Sequence, residues 1–421
     1  MISKVRAHPT AGSRLGLMMF AAGLCFVCLW VLAAGVAGAG ATQDQPILTP
    51  GAVFTSTNTV PNRVLAYNRD ASGRLTLAQD IGTGGSGKPA GNPPFTGFPV
   101  LDSMGSVNLS DDGDGKPCLF VVNAGSNSVS SFRVGPDGLE LADLEPSGGS
   151  RPASLTSNSR GGSKQVLYVL NSDNTTASFR GFNVSVSCVL TQIPGSDRPL
   201  PSQASVPATI RFDERGRHLA VSERFAPAQP AGNGDIVVYP VDSNGLTGAP
   251  VVTPSPERTP YGLDYNHHDI LSVTNEHVDA PPFPNATVST YRQLDDGRLV
   301  HLDTEPSPGA ACWNLFSNNG KFLFVTNPAG KFVPGSANVL SFSVDHDGQM
   351  ARVGQENTPF EAIDNALSHD DRYLYVLSAN VVTPGTESAI NAFAIDANTG
   401  ALTPIDEERI PGNSTSGLAA W

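Results

Sequence analysis

The sequence predicts an all-β chain folded as a seven-bladed β-propeller of four-stranded blades. Three observations predict it. Gly (43) and Pro (34) make up close to a fifth of the 421 residues, while charged residues reach only 15%, a composition poor in long-helix formers. A unit of roughly 45–50 residues recurs along the chain. Within each unit, short runs alternate apolar and polar residues with the period of two that marks a strand.

Taken in chain order, each unit holds four segments. A short apolar stretch comes first and ends at a polar turn. A second, strongly apolar strand follows: Leu119-Phe-Val-Val-Asn123, Leu167-Tyr-Val-Leu-Asn171, Phe322-Leu-Phe-Val-Thr-Asn327 and Leu374-Tyr-Val-Leu-Ser378. After a loop comes a third: Val129–Val134, Ile236–Val241, Val288–Tyr291, Val339–Val344 and Ile390–Ile395. Tight turns then lead to the fourth through Pro136-Asp-Gly138, Ser243-Asn-Gly245, Asp295-Asp-Gly297, Asp347-Gly348 and Asn398-Thr-Gly400, sequences that tolerate the positive φ of a hairpin.

Six full units start near residues 105, 151, 206, 259, 310 and 361. A seventh is split between the two ends. Val53–Gly85 supplies its last three strands, and Ser414–Trp421 its first. Repeated four-stranded sheets close into a propeller, and a split blade lets the C-terminal strand join the N-terminal blade and remove the exposed edges.

Residues 1–41 read as a targeting segment. Lys4, Arg6 and Arg14 precede an apolar run from Leu15 to Val36, and Ala39-Gly40-Ala41 fits a small-residue cleavage site. The run is also long enough to be retained as an anchor. Either way residues 42–421, a single propeller domain, are expected outside the cytoplasm, secreted or held at the cell surface. Three cysteines follow the segment, Cys118, Cys188 and Cys312, an odd number whose pairing the sequence leaves open. The net charge of −13 makes nucleic acid an unsuitable partner.

The units resemble the seven-bladed lactonase family, which includes 6-phosphogluconolactonases and carboxymuconate-lactonizing enzymes. The resemblance rests on Phe120–Phe132, Ala311-Cys-Trp313, Asp364-Asn-Ala-Leu-Ser368, Tyr373–Leu377 and Gly417-Leu-Ala-Ala420, and covers residues 50–421. It is strongest to secreted members of unassigned activity, often described as carboxymuconate-cyclase-like. The resemblance implies a lactonase or lactonizing cycloisomerase acting on a small lactone or hydroxy acid, without cofactor or metal. The alternative is a non-catalytic propeller that binds an extracellular ligand, glycan or protein. A monomer is expected. Active members of the family carry a Pro-His opening in several units; the corresponding positions here are Ala153, Ala208, Tyr261, Cys312 and Ile363, none of them His.

The repeat also locates a site. Long second-to-third loops at Ser222–Asp235, Asn275–Thr287, Asn327–Asn338 and Ser378–Ser388 gather on one face. Chargeable residues expected there are Arg151, Arg198, Glu223, Arg224, Arg258, Glu276, His277, Lys331, Glu361 and Asp364. Glu223, Glu276 and His277 are the candidate acids and bases, with Glu223 and Glu276 expected to approach one rim from equivalent strands. Arg151, Arg224 and Arg258 are candidate holders of an acidic substrate or an oxyanion, and Trp313 and Asp364 are candidate lining residues. His267-His268-Asp269 and Asp111–Gly115 are read as hairpin turns rather than metal sites, and Gly82–Gly87 as a flexible loop between blades.

Overall fold

The computed structural model describes residues 51–88, 101–110, 117–159, 165–173, 175–226, 233–277, 285–307, 309–328, 337–380 and 387–421. The targeting segment, the Asp111–Gly115 turn and much of the four long loops lie outside the described residues.

Among the described residues seven antiparallel sheets follow the predicted cycle and no α-helix occurs. Blade 1 is the split one, with order β29 (Ser416–Ala420), β1 (Ala52–Ser56), β2 (Arg63–Arg69), β3 (Leu75–Gly82). Blade 2 is β4 (Val107–Leu109), β5 (Cys118–Asn123), β6 (Ser128–Gly135) and β7 (Gly138–Pro146). Blade 3 is β8 (Pro152–Ser159), β9 (Gln165–Asn171) and β10 (Ser178–Val184), with its outer strand broken into β11 (Leu190–Gln192) and β12 (Arg198–Pro199). Blade 4 is β13 (Thr209–Phe212), β14 (His218–Glu223), β15 (Asn233–Pro240) and β16 (Val251–Arg258). Blade 5 is β17 (Pro260–Tyr265), β18 (Ile270–Asn275), β19 (Thr287–Gln293) and β20 (Leu299–Pro306). Blade 6 is β21 (Trp313–Phe316), β22 (Phe322–Asn327), β23 (Asn338–Val344) and β24 (Met350–Asn357). Blade 7 is β25 (Glu361–Leu367), β26 (Tyr373–Ala379), β27 (Glu387–Ile395) and β28 (Leu402–Pro411).

Burial explains the composition of each strand. The second strands β5, β9, β14, β18 and β22 are buried along their whole length, because both faces of a blade pack on its neighbours. They therefore read as nearly continuous apolar runs. Outer strands such as β7 and β24 are exposed or half-buried after their first one or two residues, and tolerate charge. The third-to-fourth hairpins turn at glycines with positive φ, Gly245 (84°) and Gly348 (82°) among them. Asp242 and Asp345 brace those turns by accepting two backbone N–H bonds each.

The inner strands would leave one backbone edge bare toward the axis. Side chains of the preceding blade cover it. Ser154 Oγ accepts the Ile210 amide (3.2 Å), Thr156 Oγ1 the Phe212 amide (3.1 Å) and Asp264 Oδ2 the Phe316 amide (2.7 Å). Gly262 is needed for this close approach, since a Cβ there would lie 2.3 Å from the Cys312 carbonyl oxygen. The ring is closed by β29 pairing antiparallel with β1, and Thr55 Oγ1 donates to the Gly417 carbonyl at 2.7 Å. Cys118 and Cys188 form a disulfide between blades 2 and 3, and Cys312 is a buried free thiol. Gly82–Gly87 is not a loose connection: Gly87 donates to Thr59 O (2.7 Å), and Ser86 O accepts from Gly125 N (2.9 Å).

Candidate functional site

Blades 4 and 5 show how side chains reach the axis. Leu219-Ala-Val-Ser-Glu223 and Leu271-Ser-Val-Thr-Asn275 occupy the same five positions of their second strands. Glu223 is thus equivalent to Asn275, and Arg224 to Glu276. This corrects the expectation that the two glutamates meet at one rim: a one-residue offset along a strand sends a side chain to the opposite face.

Glu223 belongs to a structural column. Asn123, Asn171 and Asn327 hold the linker that precedes their blade, through Thr83, Ser147 and Ser307 respectively. Glu223 does the same, its Oε1 accepting the Ser202 amide at 3.0 Å. It is fully buried, and burial pushes its carboxyl up to about 7 against the opposing Ser202 hydrogen bond.

Arg224 and Glu276 meet instead. Their side chains form an ion pair of 2.6 Å between neighbouring blades, and Asp102 Oδ2 takes the other arm of the guanidinium at 2.5 Å. The Arg224 guanidinium lies 5.2 Å from the Tyr261 ring centroid, and the Tyr261 ring meets Trp313 edge-on at 5.3 Å. Cys312 Sγ donates to Glu276 Oε1 at 3.2 Å. All of these side chains are 10% exposed or less, so the cluster is a buried ionic knot.

The electrostatics follow from that burial. Desolvation raises Glu276 to about 7; Arg224 pulls it down and Asp102 pushes it up. Burial works against the charge on Arg224, but Asp102 and Glu276 outweigh it and its pKa is raised. Desolvation, then Glu276, drives the Cys312 thiol well above its usual value, so it stays protonated.

Asp102 arrives on a segment outside the repeats. Leu101–Ser106 is tied to three blades: Ser103 Oγ donates to Ala153 O (2.7 Å), Met104 N to Ala208 O (3.2 Å), and Trp313 Nε1 to Ser103 O (3.0 Å). Arg151 pins the same segment, donating to Leu101 O at 3.1 Å and to Ser172 O at 3.2 Å. Desolvation lowers the Arg151 pKa, with Asp102 opposing.

The remaining expected residues lie apart from the knot. His277 follows Glu276 and points the other way, its Nε2 3.0 Å from Glu257 Oε2 on β16. The pair is clamped by Thr259, whose carbonyl accepts from Glu276 N (3.1 Å) and whose Oγ1 accepts from His277 N (2.8 Å). Arg258 ends the outer strand β16, opposite Asn233, two residues before the inner strand β17 begins. Asp364 sits on the inner strand β25 beside a different cavity. Arg198 donates to Thr247 O (2.8 Å) on the outer side of blade 3, Glu361 starts β25, and Lys331 lies outside the described residues. His267 and His268 form the β17–β18 turn, as expected. Of the five positions that replace the Pro-His histidines, Ala208, Tyr261, Cys312 and Ile363 fall in one buried cluster, while Ala153 is buried outside it.

No family model matches the chain, and no curated protein matches it. Solved structures do. A periplasmic gluconolactonase of Pseudomonas aeruginosa superposes with a TM-score of 0.64 at 18% identity, over 87% of this chain and 98% of that one. A protein of Lactobacillus plantarum gives 0.62 at 15% identity, over 88% and 99%. A candidate 6-phosphogluconolactonase of Bacteroides fragilis gives 0.58 at 18% identity, over 90% and 99%. At such identities the likeness concerns the fold alone, and the fold is a seven-bladed β-propeller.

Proposed function

We propose that this propeller acts on a small lactone, opening it to the hydroxy acid or closing the acid again, with its chemistry at the Glu276–Arg224 pair. The observation that carries this is a buried carboxyl 2.6 Å from a buried arginine where two neighbouring blades meet, its pKa pushed up by burial. A base poised near neutrality suits proton transfer at physiological pH. As a carboxylate, Glu276 takes a proton from water while the water oxygen bonds to the lactone carbonyl carbon. Arg224 supplies the positive charge that stabilises the resulting oxyanion. The ring C–O bond then breaks, and the proton passes from Glu276 to the departing alkoxide. The lactonase-like fold neighbours support the substrate class. The Cys118–Cys188 disulfide and the basic-then-apolar N-terminus support a location outside the cytoplasm, where disulfides persist.

A second reading has its own observation. The knot is closed off by Asp102 and the Leu101–Ser106 segment, and no imidazole stands at the axial positions. A purely binding propeller would use the ion pairs only to hold its blades in register. Incubating the purified protein with gluconolactones, muconolactones and acyl lactones decides between them. Turnover that falls by about a hundredfold in Glu276→Gln supports the enzyme. Turnover indifferent to Glu276→Gln removes the assignment, and no turnover across the panel leaves the binding reading.

A further inference from the structure

A second feature lies apart from the Arg224–Glu276 knot. The segment that brings Asp102 to the knot continues into Met104 and Gly105, which line a cavity of about 310 Å³. Asn318 and His369, both exposed, reach it from the β21–β22 and β25–β26 turns, so it opens at the short-turn face. Its size is at the lower end of the range for small-molecule sites. The lining is more polar than apolar.

Three side chains of that lining carry polar atoms that stay accessible and meet no partner among the described residues. Arg211, whose side chain is 29% exposed, gives one guanidinium nitrogen to Asp264 Oδ1 at 2.6 Å and keeps the others open. Half-buried Asn108 accepts from Ser157 Oγ at 2.7 Å through Oδ1 and keeps its Nδ2 donors open. The exposed His369 imidazole is the third, able to donate or to accept. Beside it, Asn318 Nδ2 donates to the His369 carbonyl at 3.1 Å, which leaves Oδ1 as an acceptor. Half-buried Trp421, Leu315 and Leu367 supply apolar surface.

This set selects by charge. Arg211 repels a cation. Its own charge is already matched by Asp264, with Glu214 acting on the same pair, so an anion gains little. An apolar molecule would displace water from these donors and acceptors without replacing its hydrogen bonds. Hydroxyl groups both donate and accept, and so reproduce what water does there. We propose that this cavity binds a neutral polyhydroxylated molecule of monosaccharide size, its hydroxyls on Arg211, Asn108 and His369 and its C–H surface against Trp421.

The test is a saturation-transfer NMR titration of the full-length protein with D-glucose, D-galactose, D-mannose and myo-inositol. Anionic gluconate, protonated glucosamine and apolar cyclohexanol are the controls. At least one of the four neutral polyols should bind, with a Kd of about 10 mM or tighter and at least about tenfold more tightly than every control. Asn108→Ala leaves only the half-buried Ser157 hydroxyl to be met by water, and should weaken that binding about fivefold. Adding His369→Ala, a change at an exposed turn residue, should bring the loss to at least about tenfold. No binding by any of the four up to about 50 mM would overturn the proposal. So would a control that binds as tightly as the best polyol, a comparison made on the unmodified protein and independent of how the variants fold. Undiminished binding by a folded Asn108→Ala/His369→Ala variant would overturn it too.

Discussion

Replacing Glu223 with Gln should stabilise the protein, although it removes a buried group that holds a linker in place. The sign follows from its pKa, raised from 4.5 to about 7 in the folded chain by burial. The folded state then holds this proton more tightly than the unfolded state does. The stability this contributes is intact below pH 4.5 and is lost as the pH rises through 7. At full ionisation the cost reaches about 3 kcal/mol. Gln is neutral at every pH and keeps an oxygen for the Ser202 amide, so it should match the wild type near pH 5 and exceed it by up to about 3 kcal/mol near pH 9. Urea unfolding followed by tryptophan fluorescence across that range measures the difference directly. A variant less stable than the wild type at pH 9, or a difference that does not change with pH, would refute the argument. It would mean that the Glu223 carboxylate is stabilised by a positive partner rather than penalised by its surroundings.

Other outcomes follow from the same structure. Arg224→Met leaves Asp102 and Glu276 buried without their shared cation, and should cost about 3–5 kcal/mol in urea unfolding; a loss under about 1 kcal/mol would mean that the knot is hydrated. Replacing both Cys118 and Cys188 by Ser frees a 70-residue separation in the unfolded chain and should cost up to about 4 kcal/mol, measured the same way under non-reducing conditions. In a turnover assay, Glu223→Gln should leave any lactone hydrolysis unaltered where Glu276→Gln lowers it by about a hundredfold, because only Glu276 pairs with Arg224.

Much of the fold was legible because it is written seven times. The Leu-Phe-Val-Val-Asn123 type of strand, the Asp-Gly hairpins and the Ser416–Ala420 complement each repeat a local rule of burial or backbone geometry. The axial positions Ala208, Tyr261 and Cys312 were legible for the same reason. The site was less so. Assigning Glu223 rather than Arg224 as the counterpart of Glu276 is a slip of one residue, which a two-residue period converts into the wrong face. Laying LAVSE over LSVTN would have revealed it. Asp102 had no such signal: it belongs to a segment between repeats, and its place beside Arg224 depends on contacts to blades that follow it by 50 to 210 residues. His277 was misplaced by proximity in sequence, since neighbours along an extended chain diverge.

The clasp between Thr55 and Gly417 spans 362 residues. During synthesis β1 emerges more than three hundred residues before its inner partner. Until then blade 1 presents an open edge, the kind of surface that recruits stray strands. A chain that stops before β29 would keep that edge permanently, so the architecture separates chains that carry the closing strand from chains that lack it before any activity is required of them.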